Sequence, residues 1–144
     1  VTVVAVGMVK DEADVIEHTV RHLLEEVDFV VVADNLSIDG TRDLLEALDE
    51  ETERVLVLED DEPGYYQSLK MTHLANIAHR ELGADWVVPF DADEWWYSPF
   101  GTLREVLEAV APQWLTVAAP IFNHVVTGCD HQAEANPFHR LEWR

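Results

Sequence analysis

Apolar and polar positions along the chain keep two rhythms in alternation, one of short β-branched runs and one of helical spacing. Val1-Thr2-Val3-Val4-Ala5-Val6 predicts a buried strand. Ile16, Val20, Leu23, Leu24 and Val27 then recur at helical spacing, with Asp11 ahead of them as a candidate cap. Phe29 to Ala33 predicts a second buried strand. Asn35 to Gly40 is turn chemistry, and Asp39 can cap a helix running through Leu48. Arg54 to Leu58 predicts a third strand, followed by the acidic, turn-rich stretch Glu59 to Gly64. A longer helix is expected from Gln67 to Leu82, with Met71, Leu74, Ala75, Ala78 and Leu82 on one face and Gly83 ending it. Trp86 to Phe90 predicts a fourth strand, in which Pro89 implies a bulge or a distorted end. Thr102 and Glu105 form a capping box before a helix with Leu103, Val106, Leu107 and Val110 facing inward. Trp114 to Ala119 predicts a fifth strand, and the tail from Asn123 to Arg144 shows no period.

Strands alternating with helices imply parallel βαβ units and a Rossmann-like α/β fold, a three-layer α/β/α sandwich around a mostly parallel sheet. No internal repeat or low-complexity linker divides the chain, so residues 1–144 are expected to form a single domain.

Charge narrows the partners. The formal net charge is -20, which repels nucleic acid and anionic membranes. An anionic substrate would need a metal ion or a local basic patch, although acidity by itself most often serves solubility. No apolar run is long enough to span a bilayer, and Val1 to Val6 is too short and lacks the flanks of a signal peptide. A single cysteine, Cys129, excludes an intrachain disulfide and favours a cytoplasmic setting.

Ligands of open parallel sheets bind beyond the carboxyl ends of the strands. The first strand runs out into Lys10-Asp11-Glu12, the second into Asp34-Asn35 and the fourth into Asp91-Ala92-Asp93. In a 3-2-1-4 strand order these acids converge on one rim. A D-x-D triplet carries little weight alone, since thirteen aspartates give roughly one by chance. At a strand end, however, two carboxylates can hold a hard divalent cation and leave positions open for water and phosphate oxygens. The competing reading is a solvated turn. The chain has no G-x-G-x-x-G after the first strand, where Gly7-Met8-Val9-Lys10 stands, and no P-loop lysine motif.

Three segments, Val9 to Asp14, Ala33 to Thr41 and Asp85 to Trp95, together resemble glycosyltransferase family 2-like proteins of the GT-A fold. The Asp91-Ala92-Asp93-Glu94-Trp95 run is similar to one subgroup with a D-x-D-E-W motif. The resemblance covers about Val1 to Trp96. It implies transfer of a sugar from a nucleotide-diphosphate sugar, a UDP-sugar by the family's usual habit, to an unknown acceptor hydroxyl, with inversion. Asp91 and Asp93 match the motif that binds a divalent cation, magnesium or manganese, and the donor diphosphate. Asp34 matches the acid that recognises the nucleoside. Lys10 and Glu12 stand where the first loop meets base and ribose. Gln67, Lys70 and Asn76 lie on the helix that borders the donor pocket, and Glu94 is in position to support the metal shell.

An inverting transfer needs a carboxylate to deprotonate the acceptor. Family members usually continue into an acceptor-binding half, which implies that part of that region is missing here. Asp130 and Glu134 are the acids left as candidate bases, weighed against a surface role. His124, His131 and His139 could supply a late metal ligand, but their spacing matches no compact zinc pattern. Trp95 and Trp96 could stack on a sugar or pack under the next helix, and Tyr65 and Tyr66 could flank the pocket. His18, His22, His73, His79 and Cys129 read as inert. The alternatives are a nucleotide-sugar-binding module that lacks the chemical step and a nucleotidyltransferase, the latter disfavoured because the glycine-rich basic loop is absent. The expected location is cytoplasmic, with peripheral membrane attachment open for a longer protein.

Overall fold

Four apolar runs pair into one parallel sheet with the strand order β3-β2-β1-β4. The structure, a computed structural model, describes residues 1–64, 66–123, 134, 136, 138 and 139. The elements are β1 (Val3–Val9), α1 (Ile16–Glu26), β2 (Phe29–Asp34), α2 (Thr41–Glu51), β3 (Val55–Glu59), α3 (Gln67–Glu81), β4 (Trp86–Pro89) and α4 (Leu103–Glu108). β1 lies at the centre, with Val9 opposite Asp34 on β2 and Val6 opposite Pro89 on β4. It starts two residues later than its β-branched run, and it ends later because Gly7, Met8 and Val9 still pair with Val32, Ala33 and Asp34.

The two-residue period of the strands sorts the core into two layers. Val3, Ala5, Val9, Val30, Val32 and Val88 face α1, α2 and α4, whose Ile16, Val20, Leu23, Leu45, Leu48, Leu103 and Leu107 pack there. Val4, Val6, Val31 and Ala33 face Leu74 and Ala78 of α3. The arrangement is the expected α/β/α sandwich. Each buried Val, Leu or Ile among these stabilises the fold by about 1.5–3 kcal/mol relative to exposure.

Helix ends follow partly different rules from those expected. Asp11 does not cap α1, which starts at Ile16 after Val15 and has no side-chain cap. Its backbone is left-handed, at φ 54, and its carboxylate turns to the loop after β2 instead. Gly40, also left-handed at φ 103, takes the N-cap position of α2, and Asp39 accepts from the Thr41 N–H one residue further out. The capping box of α4 is present, with Thr102 and Glu105 bonded reciprocally. α3 closes as expected, through Gly83 at φ 68 and an Ala84 N–H that donates to the Ala78 carbonyl.

Pro89 needs no bulge. It is the last residue of β4, and β4 is an edge strand among the described residues, so a missing N–H is tolerated. The expected fifth strand is not formed. Residues 114–119 pair with no strand among the described residues, and Trp114, Leu115 and Val117 are exposed. Apolar β-branched sequence favours extension, but a strand also needs a neighbour to take its backbone hydrogen bonds.

Gly7 stands between Ala5 and Val9 on the face of β1 that packs against Phe90. A Cβ at Gly7 would lie 2.5 to 2.9 Å from three atoms of the Phe90 ring, which is only 2% exposed and has nowhere to swing. Gly7→Ala should therefore lower the unfolding free energy by about 1–3 kcal/mol in a urea titration, and adding Phe90→Leu to it should recover part of that loss.

Candidate functional site

The register of the central strands sends the loops after β1 and β2 out side by side. Crossing hydrogen bonds lace them together. The Asp11 N–H donates to Ser37 Oγ (2.9 Å), the Glu12 N–H to Thr41 Oγ1 (2.7 Å) and the Ala13 N–H to Asp39 Oδ2 (3.0 Å). In return the Ile38 N–H donates to Asp11 Oδ1 at 2.7 Å. Asp39 Oδ1 also accepts from the Thr41 hydroxyl at 2.6 Å. That hydroxyl, with the Ala13 N–H, holds the Asp39 carboxyl below the usual carboxylate range. The first two segments singled out in the sequence are thus one physical unit.

The third segment hangs from β4. Phe90 and Ala92 are buried, whereas Asp91 and Asp93 are exposed. Thr19, wholly buried on α1, donates its hydroxyl to the Ala92 carbonyl at 2.5 Å and to the Val15 carbonyl at 3.3 Å. The middle residue of the triplet is pinned inward and its two aspartates are left in solvent. The Glu94 N–H donates to the Asp91 carbonyl (3.0 Å), and Glu94 Oε2 accepts from the Asp91 N–H (3.3 Å), which closes the turn.

Glu12 joins this rim from the β1 side. Its carboxyl is pushed above the usual range, first by burial and then by the charges of Asp93, Asp14, Asp39 and Asp91. The acids at the ends of β1 and β4 therefore share one field. Among the described residues no three His, Cys, Asp or Glu side chains come together as a metal cage. Two exposed carboxylates suit a hard dication that takes its remaining ligands from water and phosphate oxygens.

Asp34, at the end of β2, is only 4% exposed. Its Oδ1 is buried without a hydrogen-bond partner, and Oδ2 accepts from the Ser37 N–H at 3.4 Å, a long contact. An unmet buried acceptor of this kind costs about 1–3 kcal/mol, more when charged. The neighbouring polar groups are engaged elsewhere. Asn35, also buried, donates to Asp60 Oδ2 (2.9 Å) and to the carbonyls of Asp60 (3.1 Å) and Glu62 (2.7 Å). Lys70 pairs with Asp60 Oδ2 at 2.5 Å and donates to the Glu62 carbonyl at 2.6 Å. Arg42 of α2 is bonded to Glu46, and more weakly the charges of Asp34 and Glu59 also favour its protonated form. A shallow groove of about 500 Å³ lies next to this network and shares Asp60, Glu62 and Lys70 with it.

The structure thus gathers Glu12, Asp34, Asp91 and Asp93 along the carboxyl ends of the strands, with Lys10 exposed at the end of β1. Lys70 reaches the rim through Asp60 and so braces the wall beside Asp34. Gln67 and Asn76 are exposed on α3, and the Asn76 amide donates to the Thr72 carbonyl. Trp95 stacks on His22 at 3.7 Å, is met by Phe138 at 4.5 Å and has the edge of His139 at 6.1 Å, so its ring is occupied within the fold. Trp96 packs on the core, and its carbonyl contacts His22 Nε2. Tyr66 is exposed before α3. Glu134 accepts from the Asn136 N–H at 3.1 Å. Asp130, Cys129, His124, His131 and Tyr65 lie outside the described residues. Thr19 and Arg42 were not foreseen, Asn35 was placed at the strand end without its partners, and Asp60 was read only as part of an acidic loop. Thr19 left a trace as a polar residue inside the apolar stripe Ile16, Val20, Leu23.

Residues 6–138 match the family model described as Glycosyl transferase family 2. Among solved structures the chain is similar to the mannosyltransferase PcManGT from Pyrobaculum calidifontis, in complex with GDP-Man and Mn2+. The two share 26% identity at a TM-score of 0.51, over 67% of this chain and 28% of that one. The shared fold is of the GT-A glycosyltransferase type. The chain therefore spans only 28% of the length of the mannosyltransferase. No curated protein matches the chain.

Two consequences are measurable. Asp39 is depressed in the folded state, so its lacing contributes stability above the unfolded carboxyl pKa of about 3.9 and loses it as pH falls through the lower folded value. Asp39→Asn should therefore melt below the parent at neutral pH, and the gap should close under acid in a melting series. Glu12 is raised, so protonation of its carboxyl favours the fold: its contribution is present below the unfolded pKa and is lost as pH rises through the higher folded value. Glu12→Gln should raise the melting temperature at pH 7 without added cation, and the same scan should show a smaller gain on adding manganese than the parent shows.

Proposed function

The chain belongs to glycosyl transferase family 2, and on that premise we propose that it moves a sugar from a nucleoside-diphosphate sugar to an acceptor hydroxyl. The observation that carries this reading is the pinned triplet. Ala92 is held inward by Thr19, and Asp91 and Asp93 are presented in solvent beside Glu12.

Asp91 and Asp93 are the residues that would hold magnesium or manganese. Such an ion, when bound, offsets the negative charge that builds on the departing diphosphate. The mannosyltransferase solved with GDP-Man and Mn2+ supports both a nucleotide-sugar donor and a dication. The other roles belong to the chain itself. Lys10, exposed on the rim, and Glu12 would meet the base and ribose of the donor. Asp34 accepts a ring N–H of the base. Lys70, through Asp60 and Asn35, keeps the wall behind Asp34 in place. Uridine, which the sequence resemblance implies, and guanosine, which the mannosyltransferase carries, both offer such an N–H.

Inversion at the sugar carbon, with a carboxylate taking the acceptor proton, completes the proposal. Glu134 and Asp130 remain the acids to examine for that role. The acceptor belongs to a glycan, a lipid or a small molecule. No helix among the described residues is long and apolar enough to cross a membrane. A cytoplasmic site of action is part of the same proposal and rests on the single cysteine.

Calorimetric titration with nucleoside diphosphates, in manganese and in chelator, tests the assignment. Asp91→Ala or Asp93→Ala should weaken metal-dependent binding by about 100-fold or more, since each removes one of two carboxylate ligands to a hard dication. Undiminished binding in manganese would remove the triplet from the site. Donor binding without transfer or hydrolysis would favour a nucleotide-sugar-binding module.

A further inference from the structure

Three side chains of α1 reach across to the segment that follows β4. Thr19 is wholly buried and donates its hydroxyl to the Ala92 carbonyl at 2.5 Å, 73 positions along the chain. The Nε2 of His22 meets the Trp96 carbonyl, and the His22 ring stacks on Trp95 at 3.7 Å. Glu26 Oε2 accepts from the Leu103 N–H at 2.8 Å. Positions 19, 22 and 26 are three and four residues apart, so they share one face of the helix. That face grips the chain at Ala92, Trp96 and Leu103, a stretch that begins inside the Asp91 to Asp93 turn. We propose that α1 sets the position of the cation-binding carboxylates and that Thr19 is the positioning residue through which it acts. The inference rests on the metal assignment above and adds the groups that hold the ligands in place.

The first aspartate needs little of this. Asp91 follows Phe90 directly, and the Phe90 N–H donates to the Val6 carbonyl of β1 at 3.0 Å. Asp93 stands further from that bond. Its Cα lies in the same peptide plane as the Ala92 carbonyl, so the bond from Thr19 fixes the plane from which the Asp93 side chain departs. A threonine inside a helix commonly returns its hydroxyl to the carbonyl four residues back. Here the Val15 carbonyl lies at 3.3 Å, and the Ala92 carbonyl is much the closer. The hydroxyl is thus directed to the turn rather than to its own helix. α1 is also tied to the other side of the rim, because the N–H groups of Val15 and Ile16 donate to the Glu12 carbonyl at 3.1 and 2.9 Å. One helix therefore spaces Glu12 from Asp93, whose charge bears on the Glu12 carboxyl.

Removing the groups that orient metal ligands lowers affinity about 10–100-fold. The test uses the full chain, with manganese followed by loss of its free-ion EPR signal and with UDP and GDP titrated calorimetrically in manganese. Thr19→Val keeps the shape and removes the hydroxyl, and should weaken manganese binding by about tenfold or more. Thr19→Ser keeps the hydroxyl and should retain most of the parent's affinity. Leu48→Ala, in the core on α2, should lower the melting temperature without moving manganese affinity, which separates positioning from loss of stability. His22→Phe keeps a ring against Trp95 but gives up the contact to the Trp96 carbonyl. It should weaken manganese in the same direction, and it carries the test if Thr19→Val does not fold. Parent-like affinity in Thr19→Val, or in His22→Phe where Thr19→Val does not fold, would overturn the inference and leave the metal assignment standing. Equal losses in Thr19→Val and Thr19→Ser, or a loss in Leu48→Ala as large as in Thr19→Val, would do the same. Manganese binding that survives in both Asp91→Ala and Asp93→Ala, or no manganese-dependent binding by the folded parent, would overturn that assignment and the inference with it.

Discussion

Burial of β1 on both faces, with a parallel partner on each side, is the constraint on which the rest depends. Val3 to Val6 are at most 1% exposed, and the strand pairs with β2 and β4 at once. A strand buried in this way cannot slip by one residue without reversing the layer each side chain enters. Everything chemical then hangs from its carboxyl end and from those of its neighbours. Gly7 belongs to the same logic. The missing side chain on β1 is the space that Phe90 fills, and Phe90 is the residue from which the Asp91 to Asp93 turn departs.

The rim built on this frame is electrostatically expensive. The charges of Asp93, Asp14, Asp39 and Asp91 all bear on Glu12, in a chain of net charge -20. The fold offsets part of this with donors. Asp39 and Asp11 are bound by backbone N–H groups across the two loops, and Asp60 is neutralised by Lys70. Glu12, Asp91 and Asp93 receive no comparable compensation. A dication shared with a diphosphate, as proposed above, would supply what is missing.

Much of this was legible in the chain. β-branched runs and helical stripes foretold four strands, four helices and the layers they form. The positions of Asp34, Asp91 and Asp93 at strand ends followed from the same pattern. Errors came where a partner far along the chain decides. Asp11 read as a cap because it precedes a helix, but a left-handed turn gave its carboxylate to Ile38. Trp114 to Ala119 read as a strand because its residues favour extension, but no neighbouring strand pairs with it among the described residues. Trp95 read equally as a sugar platform or a packed ring, and His22 and Phe138 decided for packing.

The sequence by itself determined the class of fold, the order of its elements and the chemical types that gather at the sheet's edge. These depend on spacing within a few residues, and spacing sets which face of a helix or strand is apolar. Only the tertiary structure decided which carboxylates are satisfied within the fold and which are not. Asp39 and Asp34 are alike in the sequence, yet one is bound by Thr41 and Ala13 and the other is enclosed with an oxygen unbonded. The difference lies in donors contributed by segments distant in the chain, and no local pattern records them.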